Sequence, residues 1–133
     1  MMITAAIAVL ALAPPQSATP PASLEEAAGW TLIMEDGVFQ RRRGPLSLGE
    51  NDTVLIWTAA LPQPEHAATL GAVFQRFELD CPRHQIRRRE GLVVEPGATA
   101  TTALDGGDES WGYPGSQPPW VARLLVDVCT VTD

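Results

Sequence analysis

The chain has 133 residues, and all nine of its basic residues are arginine, set against 16 acidic ones for a formal net charge of -7. That length suits one domain with a single core and is too short for two. The negative balance opposes general binding to nucleic acid or to an anionic lipid surface, both of which reward positive potential.

Met1 to Ala13 form an apolar leader, with an unbroken core from Ala5 stopped by Pro14-Pro15. This is shorter than the roughly 20 residues a membrane span needs and fits the hydrophobic region of a secretory signal, although no Lys or Arg precedes it. Cleavage is expected after Ala13 or near Ala18. Residues 1–18 are accordingly read as a signal peptide, 19–28 as a Pro/Ala-rich linker and 29–133 as a single domain. A buried or frayed N-terminal helix is the plainer alternative. Beyond the leader no apolar stretch is long enough to cross a membrane. Export would place the chain in an oxidising space, where its two cysteines, Cys81 and Cys129, are expected to pair. Closing so long a loop stabilises a small domain by about 4 kcal/mol on the chain-entropy model.

Trp30-Thr31-Leu32-Ile33-Met34 is a short apolar strand pattern ended by the turn residues Glu35-Asp36-Gly37, and Val38 to Arg41 supply a returning strand that Gly44-Pro45 interrupts. Val54-Leu55-Ile56-Trp57-Thr58 is the best candidate for a central strand and ends at Leu61-Pro62-Gln63-Pro64. Farther on, Phe77, Leu79 and Cys81 alternate with Arg76, Glu78 and Asp80, predicting one buried and one wet face. A tight turn at Pro82-Arg83 would set Leu79 opposite Ile86 inside and Glu78 opposite Arg87 outside. Gly91 to Ala103 supplies one or two further strands, closed by a turn at Asp105-Gly106-Gly107-Asp108.

The period changes in the last segment. Ser116 is placed to cap a helix over 118–129, with Pro118 and Pro119 in its first turn and Trp120, Leu124 and Val128 at helical spacing beside Val121 and Leu125. The expected fold is α+β: an antiparallel sheet of about five or six strands with a C-terminal helix on one face, tied to it by Cys81–Cys129.

In order and spacing these pieces resemble the small secreted proteins typified by surface-adhesin protein E. The resemblance runs from Trp30 to Cys129 and rests on Trp30, Val54-Leu55-Ile56-Trp57, Phe77-Glu78-Leu79-Asp80-Cys81, Ser110-Trp111 with Pro114-Gly115-Ser116, and the closing helix. It implies an antiparallel sheet covered by a disulfide-held helix, commonly as a dimer, with no catalytic residues and no cofactor. The adhesin binds host matrix and plasma proteins, while most of its relatives have no assigned role. No Cys follows the leader here, so lipid anchoring does not carry over, and Phe39 to Ser47 lack the Tyr/Asp pattern of the family.

Chemistry-bearing motifs are scarce. Cys81-Pro82-Arg83-His84 could be read as a metal or thiolate–imidazole site, but a zinc site needs three or four such ligands and His66 is the only other histidine. A disulfide cysteine beside a turn histidine accounts for it better. The carboxylates of Asp105, Asp108 and Glu109 lack the ligand spacing of a calcium loop, and Asn51-Asp52-Thr53 fits a turn as well as a glycosylation acceptor. No catalytic or metal-ligating set is expected.

Arg41-Arg42-Arg43 and Arg87-Arg88-Arg89 stand out. On strands, Arg41, Arg43, Arg87 and Arg89 could combine into one basic patch suited to sulfate, phosphate or carboxylate groups. The plainer reading pairs them on the surface with Glu78, Glu90 and Glu95. Trp111 and Tyr113, in a Gly/Pro loop, are candidates for an aromatic ledge, whereas Trp120 belongs to the core. The expected function is that of a non-enzymatic periplasmic or secreted binding module for a protein or cell-envelope component. An accessory or inhibitor-like protein, and a small hydrolase with an unfamiliar site, are the alternatives.

Overall fold

The computed structural model describes residues 21, 23–104 and 109–132. The expected signal peptide and the Asp105-Gly106-Gly107-Asp108 turn lie outside the described residues. Six strands form one antiparallel sheet in sequence order: β1 (Thr31–Glu35), β2 (Phe39–Leu48), β3 (Val54–Pro62), β4 (Ala72–Asp80), β5 (Gln85–Val94) and the short β6 (Thr102–Ala103). Helix α1 (Leu24–Ala28) precedes them and α2 (Pro119–Thr132) closes the chain.

The first hairpin turns at Asp36. Its carboxylate accepts from the backbone N–H groups of Val38 and Phe39 at 2.7 and 2.8 Å, which holds the carboxyl below its ordinary pKa. Gly44-Pro45 does not end the second strand as its residue types led one to expect. β2 runs on to Leu48, and the missing proline donor is absorbed by a shift of register between Arg43 and Leu46.

The third strand, expected to be central, has both faces covered. Val54 and Ile56 enter a core with Phe77, Leu79, Ile86 and the α2 residues Val121, Leu124, Leu125 and Val128. Trp57, Ala59 and Leu61 point the other way, into a second cluster with Ala72, Phe74, Val94 and the fully buried Ala27 of α1. Two-sided burial explains why this strand reads as a continuous apolar run. Within the stretch read as a linker, residues 24–28 are a helix capped by Ser23, whose hydroxyl accepts the Glu26 N–H at 3.1 Å.

The C-terminal helix lies where its apolar stripe predicts. Trp120 meets Phe77 edge-on, with ring centroids 5.7 Å apart, and Cys129 is bonded to Cys81, the residue after β4, with Cα atoms 5.3 Å apart. Its start differs from expectation. Ser116 closes a short 3-10 turn over Pro114–Ser116 and donates its hydroxyl to Tyr113 O at 2.8 Å, so it does not cap the helix. Two consecutive prolines after Gln117 instead supply the first turn, and the amides of Val121 and Ala122 return to Pro118 O. Among the described residues no helix is long and apolar enough to cross a membrane.

Candidate functional site

Arg76, Glu78 and Asp80 share the face of β4 turned away from α2, and β5 faces them across the ladder. Register pairs Glu78 with Arg87 and Leu79 with Ile86, as the alternation predicts. The ladder then slips at Arg76/Phe77, where Arg76 pairs with Glu90 and Phe77 with Arg88, leaving Arg89 as the extra residue of a bulge. Strict alternation would send Glu90 to the opposite face from Arg87. The extra residue brings it back, so that Arg76 and Glu90 form an ion pair at 3.1 Å beside the contact of Arg89 with Glu78.

This face is not wet, contrary to the simple alternation. Glu78 is only 4% exposed. Its Oε1 accepts from Arg87 Nε at 2.9 Å and from Arg89 Nη1 at 2.7 Å, and Arg87 Nη2 lies 2.8 Å away in the ion pair. On the other side, Thr53 Oγ1 lies 2.6 Å from Oε2 and 2.7 Å from Glu50 O, and its single proton goes to the carboxylate, the stronger acceptor. Burial pushes the Glu78 carboxyl up, but the hydrogen bonds from Thr53, Arg87 and Arg89 and the charge of Arg87 together outweigh it, and the pKa lies below the ordinary value. Glu78 is therefore an ionised structural anchor, not a proton donor.

The strand that delivers Thr53 is entered through a turn in which Asn51 and Asp52 both adopt left-handed backbone, with φ of 57° and 64°. These are the side chains that tolerate such a conformation best after glycine. Gly49 is required next to it, because a Cβ there would collide with Thr53 Oγ1.

Trp111 arrives by a different route. The loop before α2 lies against the free edge of β5, where Ile86 and Gly112 exchange two backbone hydrogen bonds of 2.9 Å and the Glu109 N–H donates to Arg88 O at 2.9 Å. Trp111 is thereby set opposite Arg87, whose guanidinium carbon lies 4.4 Å from the ring centroid. Together these groups wall a hollow of about 670 Å³. Arginines 76, 83, 87 and 89 supply its donors, Leu55 and Trp111 its apolar wall, and Leu48, 86% exposed, its lip.

Of the residues singled out from sequence, Arg87, Arg89 and Trp111 meet here. Arg41 and Arg43 do not. Two strands separate β2 from β5, so the two arginine triplets form no common patch. Arg41 sits on the α2 side, its guanidinium 5.1 Å from the Phe39 ring and 5.0 Å from that of Trp120, and burial there lowers its pKa. Arg43 lies between Thr31 and Thr58 in the ladder. Tyr113 is 61% exposed and lies outside the hollow. Its lining also includes Arg76, Asp80, Arg83 and Thr53, which sequence reasoning did not single out as a site.

Set against known proteins, the chain matches no family model, no curated protein and no solved structure. What the hollow can do has to be read from its groups. Asp80 is held by Arg83 at 3.0 Å, Cys81 is consumed by the disulfide, and His84 lies on the exposed turn beyond β4. No His, Cys or Ser lines the hollow among the described residues, and none of their acidic, His and Cys side chains gather in a group that could hold a metal ion. The arrangement offers fixed donors and an aromatic wall, which are recognition chemistry.

Proposed function

We propose that this chain is an exported, non-enzymatic binding protein, similar in kind to the surface-adhesin protein E family, that contacts a protein or cell-envelope component through the arginine-walled hollow. The formed disulfide points to an oxidising compartment, and the periplasm or the exterior is the setting that the apolar leader adds to it. One observation carries the binding reading: Glu78, buried and ionised, is spent on orienting two arginines toward the hollow instead of on chemistry. Groups fixed in this way lose little freedom when a partner arrives, which favours recognition.

Envelope extract passed over the immobilised oxidised protein tests it. A component retained by wild type and by Arg41→Ala, yet lost by the Arg87→Gln/Trp111→Ala pair, is the expected result. Retention indifferent to the hollow, or turnover of a substrate in a broad activity screen, would contradict it.

A further inference from the structure

We infer that a second hollow, on the α2 side of the sheet, takes a free apolar amino acid as its zwitterion, with the carboxylate on Arg41, the ammonium on Glu35 and Asp36, and the side chain against Met34 and Trp120. This site is independent of the arginine-walled hollow on the opposite face.

The space lies between the turn of the first hairpin and the start of α2 and measures about 310 Å³, at the small end of the range for ligand pockets. Its charged groups are Glu35, Asp36 and Arg41, and Met34, Trp120 and the two prolines before it complete the wall. Register sets Met34 directly opposite Arg41.

Arg41 is held in place without being engaged. Its guanidinium lies over the rings of Phe39 and Trp120, contacts that fix the group but use none of its five N–H donors. Beyond the rings it feels only the longer-range charge of Asp36, and among the described residues no hydrogen bond or ion pair reaches it. Burial meanwhile works against its charge. A carboxylate held by two parallel hydrogen bonds supplies the missing acceptors and offsets that penalty.

The two acidic groups are fixed as well. Asp36 spends Oδ1 on the turn amides, and Gln63 Nε2 donates both to Glu35 Oε1 at 3.1 Å and to Asp36 O at 2.9 Å. Asp36 Oδ2 and Glu35 Oε2 keep no partner among the described residues. Charge then selects the ligand. A plain anion on Arg41 would lie beside two carboxylates, and a plain cation on the carboxylates would lie beside Arg41, whereas a molecule carrying both signs answers each group. An apolar side chain on that molecule removes Met34 and Trp120 surface from water.

L-leucine is a suitable probe, with N-acetyl-L-leucine lacking the ammonium, L-leucinamide lacking the carboxylate and glycine lacking the apolar body. Calorimetric titration of the oxidised protein at low salt is expected to give saturable leucine binding with a Kd on the order of 1 mM. Each analogue should bind about ten-fold more weakly or worse, the usual consequence of losing a charged hydrogen bond or a buried side chain. Arg41→Gln should lower leucine affinity by about ten-fold or more, while Glu25→Gln, on α1 across the sheet, should match wild type. The pair Glu35→Gln/Asp36→Asn keeps the acceptors that hold the turn, so it tests the site even if Arg41→Gln does not fold. It should bind leucine no better than N-acetyl-leucine. Equal or tighter binding of any analogue by wild type, no saturable leucine signal, or unchanged leucine binding in either folded variant would each overturn the proposal. None of these outcomes touches the arginine-walled hollow, whose own test is the capture of an envelope component.

Discussion

Arg87 is held between Glu78 and Trp111: two of its nitrogens lie within 2.9 Å of one carboxylate oxygen, and its guanidinium carbon lies 4.4 Å from the centroid of the Trp111 ring. The first contact comes from the neighbouring strand and the second from a loop about 24 residues farther along the chain. Removing either therefore tests a different part of the fold. Trp111→Ala deletes the aromatic wall but leaves the Glu78 contact intact, and should cost about 0.5 to 2 kcal/mol in chemical denaturation. A loss above this range would show that the ring also supports the core.

Glu78→Gln removes the charge that two arginines share. The native carboxyl titrates below its ordinary value of 4.5, so its stabilising contribution is fully present above that pH and is lost as pH falls through the lower native value. At pH 7 the variant should be less stable by about 1 to 3 kcal/mol, the usual cost of unpaired buried polar groups. The gap between wild type and variant should then shrink as pH is lowered below about 4.5. Urea melts of both proteins from pH 7 to pH 3 supply the comparison.

Gly49→Ala places a methyl group against Thr53 Oγ1, the hydroxyl that completes the Glu78 cage. Overpacking of this kind costs about 1 to 3 kcal/mol. Part of that loss should vanish in the Glu78→Gln background, because the two changes disturb one hydrogen bond. Strict additivity in a double-mutant cycle would separate the turn from the cage.

Cys129→Ala frees the C-terminal helix from the end of β4. The bond closes a separation of 48 residues, and its loss should lower stability by about 2 to 5 kcal/mol. Thiol titration of the oxidised protein should find neither cysteine reactive. Intact-mass analysis of exported material should in addition show that roughly the first 13 to 22 residues are gone.

Much of the sheet was readable from residue types, because alternation at Phe77-Glu78-Leu79-Asp80 and the polar turn at Pro82-Arg83 fix register without further information. The disulfide and the helix stripe were readable for the same reason: each rests on local spacing. The hollow was only half visible. Opposing Glu78 to Arg87 follows from register, but burial of that pair depends on the Arg89 bulge and on the backbone pairing of Gly112 with Ile86, and neither leaves a local pattern in the sequence. Combining the two arginine triplets failed because strand order, a property of the whole chain, separates them. Helix α1 was missed since five residues are too few for a periodic signal, although Ser23 and Glu26 stand at capping-box spacing.

The claim on which the site depends is that an ionised Glu78 holds two arginines in place. Following its side-chain carboxyl carbon by NMR while pH is lowered measures this directly. The account predicts a titration midpoint below 4.5, moving upward when Arg87 and Arg89 are both replaced by glutamine. A midpoint at or above that value in the wild-type protein, unmoved by the double replacement, would contradict it.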